Sequence, residues 1–418
     1  MNYQGKTVLL TIYNLDGYHG SVTHVYELSE YYSKNGAEVT VVCVYYSEDV
    51  KEMFEQTGIR VYTIGNWTLS VKYDYVIGIH NPVLSYLLLR GLDCDKLILT
   101  SLSHVESLEC FPVFYEYASL LTSHSVEAAE VHIEKYGIDA EKIKVIENFI
   151  PEEFISFERV DTSKELRRIA VVSNHIPEEI KGIVDCFGTE ISVDFYGMHT
   201  DNFVKITPEI IKGYDVIISI GKTVQYALGM GVPVYIYDHF GGNGYLFNID
   251  DMKTEAKNNF TGRPSCRHLT ASEIAKEIVD GYEKCLCNME NIRKTAIERF
   301  GIAGNADRII DLADKGISFN REGLMKDKNN LLFMKLGQSW CTYNFHRHNE
   351  TEYYRNRALG YSELLKEQER LKTEYAKLSM KVVSMEKQIE NMEDSTCWKI
   401  TKPIRDCMDI VRLRKTHL

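Results

Sequence analysis

Ten cysteines form no CxxC pair, so neither a paired-cysteine zinc site nor a dithiol redox motif is written into the chain. Cys285 and Cys287 stand closest, in a stretch that reads as helix. No apolar run approaches the ~18 residues of a spanning helix. The opening MNYQGKTVLLTIYNLDG lacks the charged-then-apolar shape of a secretory leader. Unpaired cysteines without a leader point to a reducing cytosol. Positive charge is also short: 48 Lys and Arg against 60 Asp and Glu leave a net −12. That balance excludes a surface that coats nucleic acid or anionic lipid as a whole, and no nucleic-acid partner is expected.

What is present is a chain of 418 residues, 44% hydrophobic and 26% charged, long enough for two domains and an appendage. Short apolar runs alternate with helical patterns: KTVLLTI, AEVTVVCVYY, YDYVIGIH and KLILTS, then ASLLTSH and KIKVIENFI. The rhythm restarts at RRIAVVSN and continues through ISVDFYG, YDVIISIG and VPVYIYD. Strands apolar along their length and separated by helices indicate doubly wound α/β domains. The expected division is a first half over 1–155 and a second over 166–314, with a cleft between them. The segment PEEFISFERVDTSKE joins the halves, and a polar linker follows over 315–360. Over 361–394 Leu364, Leu371, Leu378, Met385 and Met392 recur every seven residues, with Gln368, Tyr375, Val382 and Ile389 between them. This 4-3 seam predicts a coiled coil and an oligomer, homotypic or with another chain. The alternative is a long solvated helix folded against the body.

One stretch concentrates the chemical signal. After the strand YDVIISI, Gly221-Lys222-Thr223 opens a helix. A helix N-terminus offers unpaired N–H groups and partial positive charge, and therefore suits phosphate. Lys222 adds a charge, Thr223 a hydroxyl, and Gly221 bare backbone. Val216 stands where a P-loop needs glycine, so this is not one. A plainer reading has Thr223 cap a core helix with Lys222 in solvent. Next, HFGGNGY carries Gly241, Gly242 and Gly244, read as a second loop wrapping a ligand. Metals are not expected. Asp93-Cys94-Asp95 precedes its strand rather than following one, and His346-Arg347-His348 has no second ligand pair.

Together these segments resemble GT-B glycosyltransferases of the family 4-like kind over roughly residues 5–312. The N-terminal match rests on DGYHGS, YDYVIGIHNP and LLTSHSVEAAEVHIEKYGIDAEKIKVIENFI. The C-terminal match rests on YDVIISIGKTVQYALGMGVPVYIYD. The resemblance implies two Rossmann-like domains facing a cleft and a nucleoside-diphosphate sugar as substrate, with no cofactor. Gly221, Lys222 and Thr223 then neutralise the departing diphosphate, Asn174 beside His175 faces the cleft, and Arg263 joins them from the GRPSCRH loop. The family's paired glutamates are missing, with Ile217 and Gln225 in their register, and the amide of Gln225 is left to hold sugar hydroxyls. On the acceptor side Gly17 and Gly20 free the backbone, and Asp16 and His19 are the nearest proton acceptors. His80 and His104, at strand ends, are the preferred general-base candidates.

Residues 395–418 end the chain on STCWKITKPIRDCMDIVRLRKTHL, which looks like the closing segment of bacterial glycosyltransferases that build surface polysaccharides. From 396 onward it carries six Lys or Arg against two Asp. A basic segment anchored by Trp398 suits an anionic membrane surface. The expectation is a cytoplasmic enzyme, peripheral at the inner face of the plasma membrane, acting on a glycan or lipid-linked acceptor. Two rivals stand beside it: a non-catalytic GT-B scaffold for a partner transferase, and a nucleotide-sugar epimerase.

Overall fold

A computed structural model describes residues 1–68, 72–157, 165–396, 398–403 and 405. Met1–His346 form one compact unit and Arg347–Leu418 a second. No helix among the described residues is long and apolar enough to cross a membrane.

The first unit is built on two separate sheets. In the first, β1 (Thr7–Thr11), β2 (Glu38–Cys43), β3 (Arg60–Thr63), β4 (Tyr73–Gly78), β5 (Cys94–Ser101), β6 (Leu120–Ser123) and β7 (Ile143–Val145) lie in the order β3-β2-β1-β4-β5-β6-β7. Every pairing is parallel, with Val8 between Val39 and Tyr75 at the centre. Central strands such as β1 are buried almost throughout, because helices cover both faces. That is why their sequences read as unbroken apolar runs. In the second sheet, β8 (Arg168–Val172), β9 (Ser192–Tyr196), β10 (Val216–Ser219), β11 (Val234–Asp238) and β12 (Gly241–Tyr245) run in the order β9-β8-β10-β11-β12. Only β12 is antiparallel. Both orders reverse beside the first strand, as doubly wound sheets do. The expected α/β fold of two Rossmann-like halves is therefore the one observed.

Helices α1 (Gly20–Lys34), α2 (Asn81–Leu89) and α3 (Val126–Tyr136) follow strands of the first sheet, and α4 (Lys222–Met230) links β10 to β11. Local chemistry sets their ends. Ser125 accepts the Ala128 N–H at 3.2 Å to start α3, and Gly137 stops it at φ 70°. Beyond the second sheet lie α5 (Ala271–Leu286), α6 (Met289–Phe300) and α7 (Ile302–Lys315). The sequence division assigned α7 to the second half. It packs instead on the first, because its apolar stripe of Ile302, Ala306, Ile309, Ile310 and Ala313 enters the core of the first sheet. Asp307 on α7 also accepts from the Tyr3 and Tyr31 hydroxyls at 2.7 and 2.9 Å.

The chain thus crosses between halves twice, and the crossings touch. Ile150 donates to the Phe300 carbonyl at 2.8 Å and accepts from Ile302 N–H at 3.0 Å. The segment expected as a polar linker over 315–360 is mostly helical. After Arg321–Lys326, α8 runs as one helix from Lys328 to Asp394. Leu324, Met334 and Cys341 explain the difference, since these scattered apolar residues are buried against the first half. The joining segment 151–165 lies partly outside the described residues.

Two glycines give opposite expectations. A Cβ on Gly242 would fall 2.0 Å from the Ile236 carbonyl oxygen, whereas one on Gly304, exposed on α7, meets nothing within 4 Å. Gly242→Ala should therefore lower folding stability by about 2 kcal/mol or more. Gly304→Ala should raise it by roughly 0.5–1 kcal/mol through helix propensity. Chemical denaturation of both variants checks the pair; equal midpoints would contradict the strand packing described.

Candidate functional site

The carboxyl ends of both sheets open onto one cavity of about 460 Å³. From the first sheet, Tyr18, Gly20, Ser21 and Thr23 reach it after β1, Leu102 and Glu109 after β5, His124 after β6 and Asn148 after β7. From the second, Ser173, Asn174 and His175 follow β8, Gly197 follows β9, Ser219 ends β10 with Ile220–Thr223 after it, and Asp238 closes β11. Open α/β sheets bind ligands at this edge, beside the point where strand order reverses.

Two helix N-termini face the cavity, α1 from one half and α4 from the other, and no side chain caps either. The N–H groups of Gly20–Val22 in α1 and of Lys222 and Thr223 in α4 find no acceptor inside their own helix, whereas Val224 N–H donates to the Gly221 carbonyl at 3.1 Å. Gly221 makes this possible at α4: its φ of 62° and ψ of −136° suit glycine, and a Cβ there would still have room. Gly197 is required more strictly. Its φ is 135°, and a Cβ would lie 2.0 Å from the Ser173 carbonyl oxygen. Asn174 lines the cavity and spends its Oδ1 on the Met198 N–H at 2.9 Å, which shapes this corner.

Lys222 is not a free cation. Its ammonium is paired with Glu27 of α1, whose carboxylate also accepts the Tyr226 hydroxyl. The side chains of Glu27 and Lys222 are only 4% and 10% exposed. Burial pushes the Glu27 carboxyl up and the Lys222 amine down, and each partner's charge opposes the shift of the other. The pair spans the two halves directly beneath the cleft. The plainer sequence reading, a lysine in solvent, is corrected on this point: a buried carboxylate 195 residues away is its partner.

Other expected residues also lie elsewhere. Gln225 is buried, does not line the cavity, and its Oε1 meets no partner among the described residues. Gly241, Gly242 and Gly244 are no wrapping loop. They form the edge strand β12, where bare backbone lets Arg267 and the β11 main chain pack closely. Arg263 is paired with Glu127 of α3 and lies over the Phe240 ring, outside the cavity lining. Asp16 accepts from the Asn14 amide beside the short strand Asn14–Leu15. Gly17 and His19 sit behind Phe203, whose ring does line the cavity. His104 lies off the cavity, and burial holds its pKa below the ordinary histidine value. Of the expected set the structure gathers Gly20, Asn174, Gly221, Lys222 and Thr223.

His80 has a different place from the one expected. Buried, it accepts the Tyr13 N–H on Nδ1 at 2.7 Å, which leaves its proton on Nε2, 3.2 Å from Glu109 Oε1. It thus orients a carboxylate that faces the cavity. Nearby His124 is buried, and burial pulls its pKa down to about 4, so its imidazole is neutral near pH 7. On the opposite wall Asp238 accepts from Ser173 Oγ at 2.6 Å and from His239 Nδ1 at 2.9 Å. Glu109 was missed because SLSHVESLEC has no motif around it. Glu27 was missed because it sits in an amphipathic helix pattern. For His124 and Asp238 the only signal was a polar residue ending an apolar strand. Among the described residues no cluster of metal-ligating side chains was found.

Neither a family model nor a curated relative matches the sequence. Among solved structures the chain is similar to a glycosyltransferase from Rickettsia africae, at 13% identity and a TM-score of 0.49, over 74% of this chain and 98% of that one. It is similar to HepE from Anabaena, solved with UDP-glucose, at 15% identity and a TM-score of 0.49, over 74% and 99%. It is also similar to WaaG, a glycosyltransferase of lipopolysaccharide biosynthesis, at 10% identity and a TM-score of 0.39, over 74% and 98%. Likeness of this degree carries no residue role from one chain to another.

The buried pair yields a direct expectation. Lys222→Met strands the Glu27 carboxylate and should lower stability by about 3–5 kcal/mol. Adding Glu27→Gln should restore most of that loss. Urea unfolding of the single and double variants measures it, and additive losses would contradict the pairing.

Proposed function

We propose that the chain is a glycosyltransferase that moves a sugar from a nucleoside-diphosphate sugar to an acceptor hydroxyl. The observation that supports this most directly is the cavity between two Rossmann-like sheets, with an uncapped helix N-terminus on each side. A departing diphosphate carries the negative charge that such termini stabilise. Because Lys222 is matched by Glu27, the pair is nearly neutral to a ligand. The N–H groups of Lys222–Thr223 and Gly20–Ser21 take the main part, beside Lys205, which lines the cavity while paired with Glu153 at 3.7 Å. Lys222 then acts mainly by fixing the start of α4.

The acceptor enters from the first-sheet side. Glu109 receives the proton of the attacking hydroxyl, with its carboxylate held by the His80 Nε2–H. The neutral His124 imidazole positions the same hydroxyl. Balance is simple: the acceptor oxygen bonds the sugar's anomeric carbon, the bond to the diphosphate oxygen breaks, and the acceptor proton goes to Glu109.

A lipid-linked glycan in surface-polysaccharide assembly is the acceptor class we favour, with the basic tail resting on the membrane's inner face. Most of that tail lies outside the described residues. Within them, Trp398 and Ile400 are exposed and the Arg405 guanidinium lies 3.7 Å from the Trp398 ring centroid, an arrangement compatible with an interfacial anchor.

Two experiments follow. In a thermal-shift panel, one nucleoside diphosphate and its sugars should stabilise the protein. Glu109→Gln should keep that stabilisation while kcat falls by about 10²–10⁴. Stabilisation by no nucleotide would favour the scaffold reading, and an unchanged kcat would remove Glu109 as the base. Deleting 396–418 should release the protein from anionic liposomes in sedimentation; unchanged co-sedimentation would rule out the tail as the anchor.

A further inference from the structure

Within the second unit, the described residues leave one long helix surface uncovered. From Tyr353 to Asp394 every residue of α8 is exposed. The five-fold leucine and methionine repeat is between 53% and 67% exposed, and Tyr375, Val382 and Ile389 between them are 49–76% exposed. A solvated helix has no reason to keep an apolar stripe of period 3.5 on one side. The helix is uninterrupted, so the repeat is geometrically continuous.

The residue types on the stripe choose an occupant. Spacing assigns Leu364, Leu371, Leu378, Met385 and Met392 to d, and Gln368, Tyr375, Val382 and Ile389 to a. Unbranched or γ-branched side chains fill d throughout, and β-branched residues hold the last two a positions. That distribution favours two parallel strands over three or four. Gln368 is a polar residue at a single a position, the kind that penalises slipped registers.

Charge at the flanking positions fixes the direction. The g residues are Glu367, Glu374, Lys381 and Gln388, and the e residues include Lys372, Ser379, Glu386 and Glu393. In a parallel, in-register pair each g residue faces the e residue five positions on in the second copy. Glu367 then meets Lys372 and Lys381 meets Glu386, in both directions, with no like-charge contact in the seam. An antiparallel pair centred on the same repeat brings together only Glu374 and Lys381. Within one helix Glu367 already holds Arg370 at 2.7 Å. That pair is exposed, so it yields readily or extends into a three-charge cluster.

We infer that residues 361–394 form a parallel, in-register, two-stranded coiled coil with a second copy of this chain. The inference is independent of the transfer reaction.

Light scattering on the full-length chain should give the mass of two chains. Leu371→Glu with Leu378→Glu should halve it while leaving nucleotide stabilisation and the thermal transition of the first unit in place. Single-cysteine additions then read orientation against the wild-type background. Gln368→Cys should crosslink to itself on oxidation, and a mixture of Gln368→Cys with Met385→Cys should give no mixed species beyond wild type. A single-chain mass, a mass of three chains or more, or crosslinking found only in the mixture would each overturn the proposal.

Discussion

The Glu27 carboxylate is the group on which the site depends. It leaves α1 of the first half, enters a nearly water-free position in the second, and there meets the Lys222 ammonium and the Tyr226 hydroxyl. Taking a carboxylate and an ammonium out of water is unfavourable unless both are matched. The match exists only when the two sheets stand at the separation seen here. The pair therefore ties the first half to the first turn of α4. Two further cross-half contacts support the same arrangement, the bidentate Arg299–Glu147 pair and the amide link from Asn148 to Asn259.

With Lys222 matched by Glu27 and Lys205 paired with Glu153, the electrostatics of the cavity shift from side chains to backbone. Two helix N-termini point at the same volume, and a helix terminus attracts anions without reorganising. Carboxylates sit around them in an ordered way. Asp238 is tied to Ser173 and His239 on the second-sheet wall, and Glu109 is tied to His80 on the first. Two helix N-termini, a hydrogen-bonded carboxylate on the first-sheet wall and a neutral histidine beside it form the arrangement on which the proposed group transfer rests.

The fold was largely legible in the sequence because its signal is local. Strands buried on both faces must be apolar along their length, so KTVLLTI or YDVIISI announces a parallel sheet without help from the rest of the chain. The loops after β1, β8 and β10 were legible for the same reason, and Gly20, Asn174 and Gly221–Thr223 do line the cavity. The site's side-chain partnerships were not legible. Glu27 and Lys222 are 195 residues apart, and nothing around either names the other. The three glycines of β12 carry the same spacing whether a ligand or the Arg267 main chain comes close. Helix α7 looks like a continuation of the second half in one dimension and is a covering helix of the first in three. His80 was noticed for ending a strand, yet its Nδ1 is held by the Tyr13 N–H and its Nε2–H places Glu109.

Backbone amide exchange with and without a nucleoside-diphosphate sugar tests the central claim most directly. If the two helix N-termini share the diphosphate, the amides of Gly20–Val22 and Lys222–Thr223 gain protection together on ligand addition. Protection confined to one half, or appearing only away from the cleft, would contradict a donor site built jointly by both sheets.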